Sequence, residues 1–250
     1  SQNGISALEE AGFEVITTTV AQEQLINYIN SNNIVGILVR SATQVRKEII
    51  DNCPSLKLIG RGGVGMDNID VAYAKEKGLH VINTPAASSE SVAELVFAHL
   101  FGGVRFLYDS NRHMPLEGDS NFKKLKKSYA KGIELRGKTL GVIGFGRIGQ
   151  ATAKIAIGIG MNVIFHDPFI DSPTIKLPFF DGQSISFNFE NKTKEEVLRN
   201  SNFITVHVPA QKEYVIGKKE FDIMQRGVGI VNAARGGVVD EVALIEALES

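Results

Sequence analysis

The chain has 250 residues, 43% hydrophobic and 22% charged, which is typical of a globular protein with one or two buried cores. Its 27 basic and 28 acidic residues nearly cancel, so charge gives no reason to expect nucleic acid or an anionic membrane as a partner. The one cysteine, Cys53, excludes an intrachain disulfide and fits the cytoplasm. No apolar run approaches the roughly 20 residues of a membrane helix. The sequence lacks an initial Met and stops within a helical pattern, so we expect both ends to be incomplete.

The first part of the chain alternates between strand-like and helix-like segments. Short apolar runs rich in β-branched residues predict strands over residues 13–16, 34–39, 56–59 and 79–82. Helical spacing predicts helices over residues 5–10, 22–30, 45–53 and 70–77. Strands separated by helices in this way are typical of βαβ units with a parallel sheet.

A second alternating series occupies the rest of the chain. A long helix over residues 88–109 is predicted to bridge the two series, and a polar, basic stretch follows over residues 121–131. Strands are predicted over residues 139–143, 162–166, 203–208 and 228–232, and helices over 150–157, 194–199, 219–224 and 241–248. Residues 177–189 indicate an inserted small hairpin. The sequence therefore predicts an α/β fold with two domains, whose uniformly apolar strands are buried on both faces.

The spacing G-x-G-x-x-G occurs twice, and its context decides what each copy can bind. Gly144, Gly146 and Gly149 follow a predicted strand and open a predicted helix, where a pyrophosphate would lie on exposed N–H groups. The next strand ends at Asp167, 18 residues past Gly149, the place of a carboxylate that binds the adenosine ribose. A carboxylate there repels a 2′-phosphate, so this copy predicts NAD in preference to NADP.

The first copy, Gly60, Gly62 and Gly65, also follows a predicted strand. Asp67 and Asp70 occupy the following turn, where they would repel a pyrophosphate, and the next strand ends at an amide instead of an acid. We therefore expect a small anionic substrate there, held by backbone N–H groups and a nearby arginine.

Several segments together resemble the D-2-hydroxyacid dehydrogenase family. The likeness lies in TLGVIGFGRIG at 139–149, in His207-Val208-Pro209, and in NAARGGVVD at 232–240. The segments LVRSAT at 38–43, GRGGVGMDNID at 60–70 and NTP at 83–85 resemble the branch of that family that oxidises D-3-phosphoglycerate. The likeness extends over nearly the whole chain apart from residues 177–189.

The resemblance implies a particular domain organisation. It predicts two doubly wound parallel-sheet domains with a cleft between them that closes around the substrate. A flavodoxin-like substrate domain, or lid, would occupy residues 1–86 without its first strand. A Rossmann NAD-binding domain would occupy residues 87–250 and be incomplete at its C-terminal end. The resemblance also implies a cytoplasmic homodimer, formed through the long helix and the basic stretch after it.

The family transfers a hydride between a 2-hydroxy acid and NAD, and the resemblance assigns roles in that reaction. Arg235 would bind the carboxylate and carbonyl, because a guanidinium can donate to two oxygens at once. The general base of the family, a histidine with a glutamate partner, lies downstream of the arginine block, so we expect this chain to lack both. His207 we expect to line the nicotinamide or ribose side of the site, and His99 to pack in the core or between domains.

The resemblance also implies the binding residues. Arg40, Ser41 and Arg61 each follow a strand of the first domain, and two arginines with a hydroxyl suit a phosphate, here that of 3-phosphoglycerate. Gly62 and Gly63 would complete this substrate site. Ser88 stands where many relatives carry asparagine, a departure that bears on substrate preference. The NAD site would consist of Val64, Gly144, Gly146, Arg147, Ile148, Gly149, Asp167, His207, Val208, Pro209, Ala233, Ala234 and Arg235.

Three functions are compatible with these features. The first is NAD-dependent oxidation of D-3-phosphoglycerate to 3-phosphohydroxypyruvate, the entry to serine synthesis. The second is a hydroxypyruvate or glyoxylate reductase of the same fold. The third is an NADH-sensing corepressor whose output is binding to a partner. Metal-binding patterns such as His-x-x-x-His and Cys-x-x-Cys are absent from the sequence, so no metal is expected.

Overall fold

The computed structural model describes residues 2–209 and 211–250. The chain divides into two compact units, Ser1–Pro85 and Ala86–Ser250. The sequence suggests a boundary one residue further along, between residues 86 and 87.

The first unit is a three-stranded parallel sheet with helices between its strands. Its strands β1 Gly36–Val39, β2 Leu58–Arg61 and β3 His80–Asn83 pair in chain order, so Val39 lies beside Arg61, and Arg61 beside Asn83. Right-handed crossovers between consecutive strands place the connecting helices on one face of the sheet. The elements are α1 Gln2–Glu10, a 3-10 turn Gln22–Gln24, α2 Leu25–Ser31, β1 Gly36–Val39, α3 Lys47–Asn52, β2 Leu58–Arg61, α4 Val71–Glu76 and β3 His80–Asn83.

The core of the first unit lies between the sheet and these helices. Ile29 of α2, Ile49 of α3, Ile59 of β2 and Ala74 of α4 are all buried there. Val45, predicted as helical, instead forms a parallel bridge with Ile69, so α3 begins two residues later.

The strand predicted over residues 13–16 does not form, and this prediction is wrong. The segment is apolar and rich in residues that suit a strand, but it pairs with none of the described strands. Phe13 and Ile16 remain 55% and 40% exposed. A strand needs a neighbour to satisfy its backbone hydrogen bonds and to bury its side chains, so favourable composition alone does not produce one.

The second unit contains a four-stranded parallel sheet. Its strands are β4 Thr139–Ile143, β5 Asn162–His166, β8 Phe203–Val206 and β9 Gly229–Asn232, within two residues of the predictions. They pair in the order β5-β4-β8-β9. Its helices are α5 Ser89–Val104, α6 Leu107–Tyr129, α7 Arg147–Gly158, α8 Lys194–Asn200, α9 Lys218–Phe221 and α10 Glu241–Glu249. Since the chain moves from β4 to one side and then to the other, the sheet is doubly wound, as predicted.

Separate apolar clusters form the core of this unit. Phe97 of α5, Val142 of β4 and Phe165 of β5 belong to one cluster. Leu198 of α8 and Ile204 of β8 belong to another. Helices therefore cover the sheet on both faces, the arrangement that uniformly apolar parallel strands require.

The single long helix predicted over residues 88–109 is instead two helices, α5 and α6, bent by 54°. The chain bends at Phe106, whose φ of +53° is left-handed and incompatible with a continuing helix. The predicted basic stretch after it is helical as far as Tyr129, following a kink in α6 at Asn121, whose φ of −118° and ψ of 15° are not helical. In the described residues no one helix has the length and apolar composition to span a bilayer, and α5 with α6 meet that criterion only as a bent pair.

A hairpin follows β5, close to where the sequence predicts it. Strands β6 Thr174–Pro178 and β7 Ser184–Asn188 pair antiparallel and start three residues earlier than predicted. Ile175 is buried against the body of the unit, whereas Phe180 in the turn is fully exposed.

Candidate functional site

Four loops of the second unit leave the same edge of its sheet. Gly144 follows β4, Asp167 follows β5, His207 follows β8 and Ala233 follows β9. Because the four strands are parallel, these loops all lie at the carboxyl ends of the strands, where ligands bind in doubly wound sheets. The structure therefore brings together the predicted cofactor residues of the second unit.

The glycine loop between β4 and α7 has no room for a side chain at two of its glycines, Gly144 and Gly149. Gly144 has φ +91°, and a Cβ there would meet the carbonyl oxygen of His207 at 2.6 Å. A Cβ on Gly149 would collide with the carbonyl oxygen of Gly144, so this glycine lets α7 pack closely on the loop. A Cβ on Gly146, in contrast, would meet nothing within 4 Å, which leaves open space above the start of the helix.

That open space adjoins the positive end of a 12-residue helix. Gly146 is the N-cap of α7 and offers no side chain to the helix N–H groups, which an anion can therefore approach. Arg147 in the first turn is exposed, and Ile148 is half-buried. These features fit the pyrophosphate of a dinucleotide.

Asp167 lies against the glycine loop and is only 7% exposed. Its Oδ2 accepts the N–H of Phe145 at 2.7 Å, and its Oδ1 accepts the N–H of Phe169 at 2.8 Å. Phe145 turns its ring into the core, where it stacks on Phe165 with centroids 3.9 Å apart. Each carboxylate oxygen can accept a second hydrogen bond, so both can still receive the hydroxyls of a ribose.

His207 is a neutral imidazole in this site. Burial lowers its pKa from 6.5 to about 4. Its Nε2 lies 3.0 Å from Thr205 Oγ1 and 3.3 Å from Thr152 Oγ1. The Thr152 hydroxyl donates to the carbonyl of Ile148 at 2.9 Å, so towards His207 it accepts, and the ring proton belongs on Nε2. Nδ1 is then a buried acceptor with no partner in the part of the chain described here, which fits a donor group of a ligand.

Arg235 lies in the loop after β9 and is half-buried. Its Nη1 donates to the carbonyl of Ala234 at 2.8 Å. The side chain of Asn232 holds this loop, because its Nδ2 donates to the carbonyl of Arg235 and its Oδ1 accepts the N–H of Ala234. Ala233 is half-buried at the same edge.

The two residues after His207 complete this edge of the second sheet. Val208 packs on the glycine loop, since a Cβ on Gly144 would meet its Cγ1 at 2.9 Å. Pro209 is exposed.

The predicted substrate residues lie at the carboxyl edge of the first sheet. Arg40 and Ser41 follow β1 and are exposed, and Arg61 ends β2 beside Val39. The Arg61 side chain lies over Gly63, where a Cβ would collide with the guanidinium, and its Nη1 donates to Gly62 O at 3.1 Å. Its buried Nε has no hydrogen-bond partner within residues 2–209 and 211–250.

In this structure the backbone N–H groups of Gly62 and Gly63, which are predicted to bind the substrate, have hydrogen-bond partners within the chain. The N–H of Gly62 donates to Val39 O, and that of Gly63 donates to Arg61 O, both at 2.9 Å. Main-chain geometry uses these donors to close the turn after β2. Val64, predicted to contact the cofactor, is half-buried in this unit, and its carbonyl accepts Asn83 Nδ2 at 2.7 Å.

Two asparagines that sequence reasoning missed shape the first edge. The buried Asn68 donates from Nδ2 to the carbonyls of Arg40 and Thr43 at 3.0 and 2.6 Å, which fixes the loop after β1. Asn83 fixes the loop after β2 through its bond to Val64. Both are remote in sequence from the residues they hold, so no local pattern points to them.

Other features of the structure do not coincide with the predicted site. A cavity of about 570 Å³ lies along α5 and the edge strand β9, and none of the predicted site residues lines it. His99, expected to be packed, is exposed at the wall of this cavity. Among the described residues, no three His, Cys, Asp or Glu side chains are grouped so as to hold a metal ion.

The second unit is thus a Rossmann-type dinucleotide-binding domain. A family model described as D-isomer specific 2-hydroxyacid dehydrogenase, NAD binding domain, matches residues 97–250. The chain belongs to this family, and NAD is its cofactor.

Individual relatives carry different names. D-3-phosphoglycerate dehydrogenase of Methanocaldococcus jannaschii is 39% identical over 250 residues, covering 99% of this chain and 45% of that protein. Hydroxypyruvate reductase of Thermotoga maritima is 38% identical over 239 residues, covering 95% of this chain and 72% of that protein. The structure of the TT0316 protein from Thermus thermophilus superposes with a TM-score of 0.81 at 28% identity, covering 99% of this chain and 75% of that one. The chain thus spans less than half of the phosphoglycerate dehydrogenase that it matches.

Proposed function

We propose that the protein containing this chain oxidises D-3-phosphoglycerate to 3-phosphohydroxypyruvate with NAD. The observation that carries this proposal is the placement of two arginines at the edge of the first sheet. Arg61 ends β2 with a buried Nε that lacks a partner in the described residues, and Arg40 follows its neighbour Val39 in β1. Two guanidinium groups can bind the doubly charged phosphate of this substrate, and they are more than a single carboxylate requires.

The residues of the second unit have complementary roles in this proposal. NAD, when bound, supplies the acceptor for the hydride that leaves the 2-carbon of the substrate. The N–H groups at the start of α7 bind the pyrophosphate, and Asp167 binds the ribose of adenosine. Arg235 binds the substrate carboxylate, because a guanidinium has five donors and can do so while it keeps its bond to Ala234 O.

The general base is not among the five histidines of this chain in our proposal. His207 is one of the predicted cofactor residues, but a pKa of about 4 makes it a weak base at neutral pH. Its imidazole is already held by two threonine hydroxyls. We assign it a role in lining the cofactor site, and assign proton transfer to a residue outside this chain.

A hydroxypyruvate reductase is the second candidate. The relative with that name is 38% identical, and the chain covers 72% of it, a larger share than of the phosphoglycerate dehydrogenases. This candidate differs from the first in that its substrate has no phosphate. The two arginines of the first unit therefore distinguish the candidates.

The experiment measures NADH formation at 340 nm by the complete protein, with D-3-phosphoglycerate and D-glycerate as paired substrates. Arg61→Met should lower kcat/KM for the phosphorylated substrate by about ten- to a hundredfold, the worth of a charge-assisted hydrogen bond, and change that for D-glycerate little. Arg199→Ala, which removes an exposed arginine of α8 paired with Glu195, is the control. Equal losses on both substrates would refute phosphate binding by Arg61.

We also propose that the protein is a cytoplasmic homodimer, formed through α6. This helix leaves apolar side chains in solvent, among them Leu107, Tyr108 and Leu116, which are 53%, 70% and 81% exposed. A second copy of the same helix would bury them. Leu116→Glu should convert a dimer to a monomer in light scattering, whereas Phe180→Glu in the hairpin turn should not. A wild-type monomer would refute this proposal.

A further inference from the structure

The segment that leaves the β6–β7 hairpin runs alongside the end of β5. The N–H of Lys192 donates to the carbonyl of Phe165 at 3.0 Å, and the ring of Phe189 lies 5.8 Å from that of Phe145. The N–H of Asn191 donates to the carbonyl of Asp171 at 2.7 Å, which closes the base of the hairpin. These contacts fix the position of Asn191 relative to the strand that leads into Asp167.

The side chain of Asn191 hydrogen-bonds both main-chain groups of Asp167. Its Oδ1 accepts the Asp167 N–H at 3.0 Å, and its Nδ2 donates to the Asp167 carbonyl at 2.7 Å. Asp167 is the first residue after β5, which is an edge strand of the sheet, so no strand lies beside it on its outer side. One asparagine amide thus supplies both hydrogen bonds that an adjacent strand would otherwise give.

The backbone of Asp167 is thereby held from one side while its carboxylate is held from the other. The two carboxylate oxygens accept the N–H groups of Phe145 and Phe169 at 2.7 and 2.8 Å. Removal of the Asn191 amide would leave the carboxylate bonds in place but free the main chain to shift. A carboxylate that discriminates between a ribose hydroxyl and a phosphate must be held to within a fraction of an ångström.

We propose that Asn191 is a positioning residue for cofactor specificity, which holds Asp167 where its carboxylate accepts the adenosine ribose hydroxyls and repels a 2′-phosphate. The inference rests on the role proposed above for Asp167. It assigns a function to the hairpin as well, because the hairpin delivers Asn191 to the end of β5.

The test is calorimetric titration of the complete chain with NADH and with NADPH, which needs no catalytic turnover. Asn191→Ala should weaken NADH binding about tenfold, the effect of one lost hydrogen bond to a charged group. NADPH binding should change by less than about twofold, because a displaced carboxylate loses its ribose contact but also repels the 2′-phosphate less. The ratio of the NADPH dissociation constant to the NADH dissociation constant should therefore fall about fivefold or more.

Asn188→Ala is the matched control. Asn188 lies on the same hairpin, exposed, and its Oδ1 accepts the Thr174 hydroxyl at 2.8 Å without contact to Asp167. Its replacement should leave both dissociation constants unchanged. Asn191→Ser is the second variant, used if circular dichroism shows that Asn191→Ala fails to fold, and it should lower the ratio in the same direction.

The outcomes separate the inference from its premise. A wild-type chain without preference for NADH refutes the role of Asp167 and with it the role of Asn191. A wild-type preference that Asn191→Ala and Asn191→Ser leave unchanged refutes the inference about Asn191 alone. Equal weakening of NADH and NADPH would also refute it, since that is the result of a residue that only maintains the fold.

Discussion

His207 should make the second unit sensitive to acid. Burial lowers the pKa of this imidazole from 6.5 to about 4, so the unfolded chain binds a proton below pH 6.5 that the folded chain accepts only near pH 4. The contribution of the neutral His207 imidazole to the free energy of unfolding is therefore present well above pH 6.5 and is lost as the pH falls from 6.5 towards 4. With these two pKa values, linkage gives a loss of about 2 kcal/mol between pH 7 and pH 5.

The measurement compares urea unfolding of the wild type and His207→Gln at pH 7 and pH 5, followed by circular dichroism because the chain has no tryptophan. Glutamine keeps an N–H donor for Thr152 and Thr205 but does not titrate. The wild type should lose about 2 kcal/mol more than His207→Gln over this range, whereas His80→Gln, at an exposed site, should behave as the wild type because it leaves His207 in place. Equal losses in the wild type and His207→Gln would refute the reasoning, as would a His207 pKa near 6.5 by NMR.

Three further predictions concern residues at the carboxyl edges of the two sheets. Asn68→Ala should lower the free energy of unfolding by about 1–3 kcal/mol in a denaturant titration, because the carbonyls of Arg40 and Thr43 lose a buried donor. Gly146→Ala should leave the melting temperature unchanged but weaken NADH binding at least about tenfold in calorimetry, since its Cβ enters open space above α7. Gly149→Ala should instead lower stability by about 1–3 kcal/mol, because its Cβ collides with the loop itself. The opposite pattern for these two glycines would refute their assignment.

The second unit could be predicted well from the sequence because its strands are short apolar runs with unambiguous boundaries. The helix that follows each strand begins within a few residues of the prediction, as at Arg147 and Lys194. Start signals are strong at α8, where Thr193 and Glu196 form a capping box. Local propensity and tertiary packing agree in these segments, and such agreement is what makes sequence prediction reliable.

The failures occur where tertiary contacts outweigh local preference. Residues 13–16 have the composition of a strand but no described neighbour to pair with. The apolar spacing is helical from α5 into α6, whereas the chain bends at the left-handed Phe106, three residues after Gly103. Pro115 lies inside α6 without ending it. Propensity is a weak prior at each of these places.

The candidate site follows the same rule. Residues at the carboxyl ends of strands were predictable, because topology alone brings Gly144, Asp167 and His207 to one edge. The groups that hold them were not. Asn191 is 24 residues from Asp167 in sequence, and Thr152 is 55 residues from His207. Hydrogen bonds over such separations leave no periodic trace in a single sequence.

The two glycine motifs show why equal spacing leads to different sites. In the second copy, the residues after Gly146 continue as a helix, no side chain caps its N–H groups, and the space beside Gly146 is open. In the first copy, Gly60 lies within β2, and no helix begins until Val71. The turn between them uses the N–H groups of Gly62 and Gly63 internally, and the missing side chain at Gly63 makes room for the guanidinium of Arg61. The second copy therefore offers an anion its main chain, whereas the first offers a side chain. The two copies therefore suit different anions, since a pyrophosphate needs several donors along a helix start and a terminal phosphate needs a fork of two.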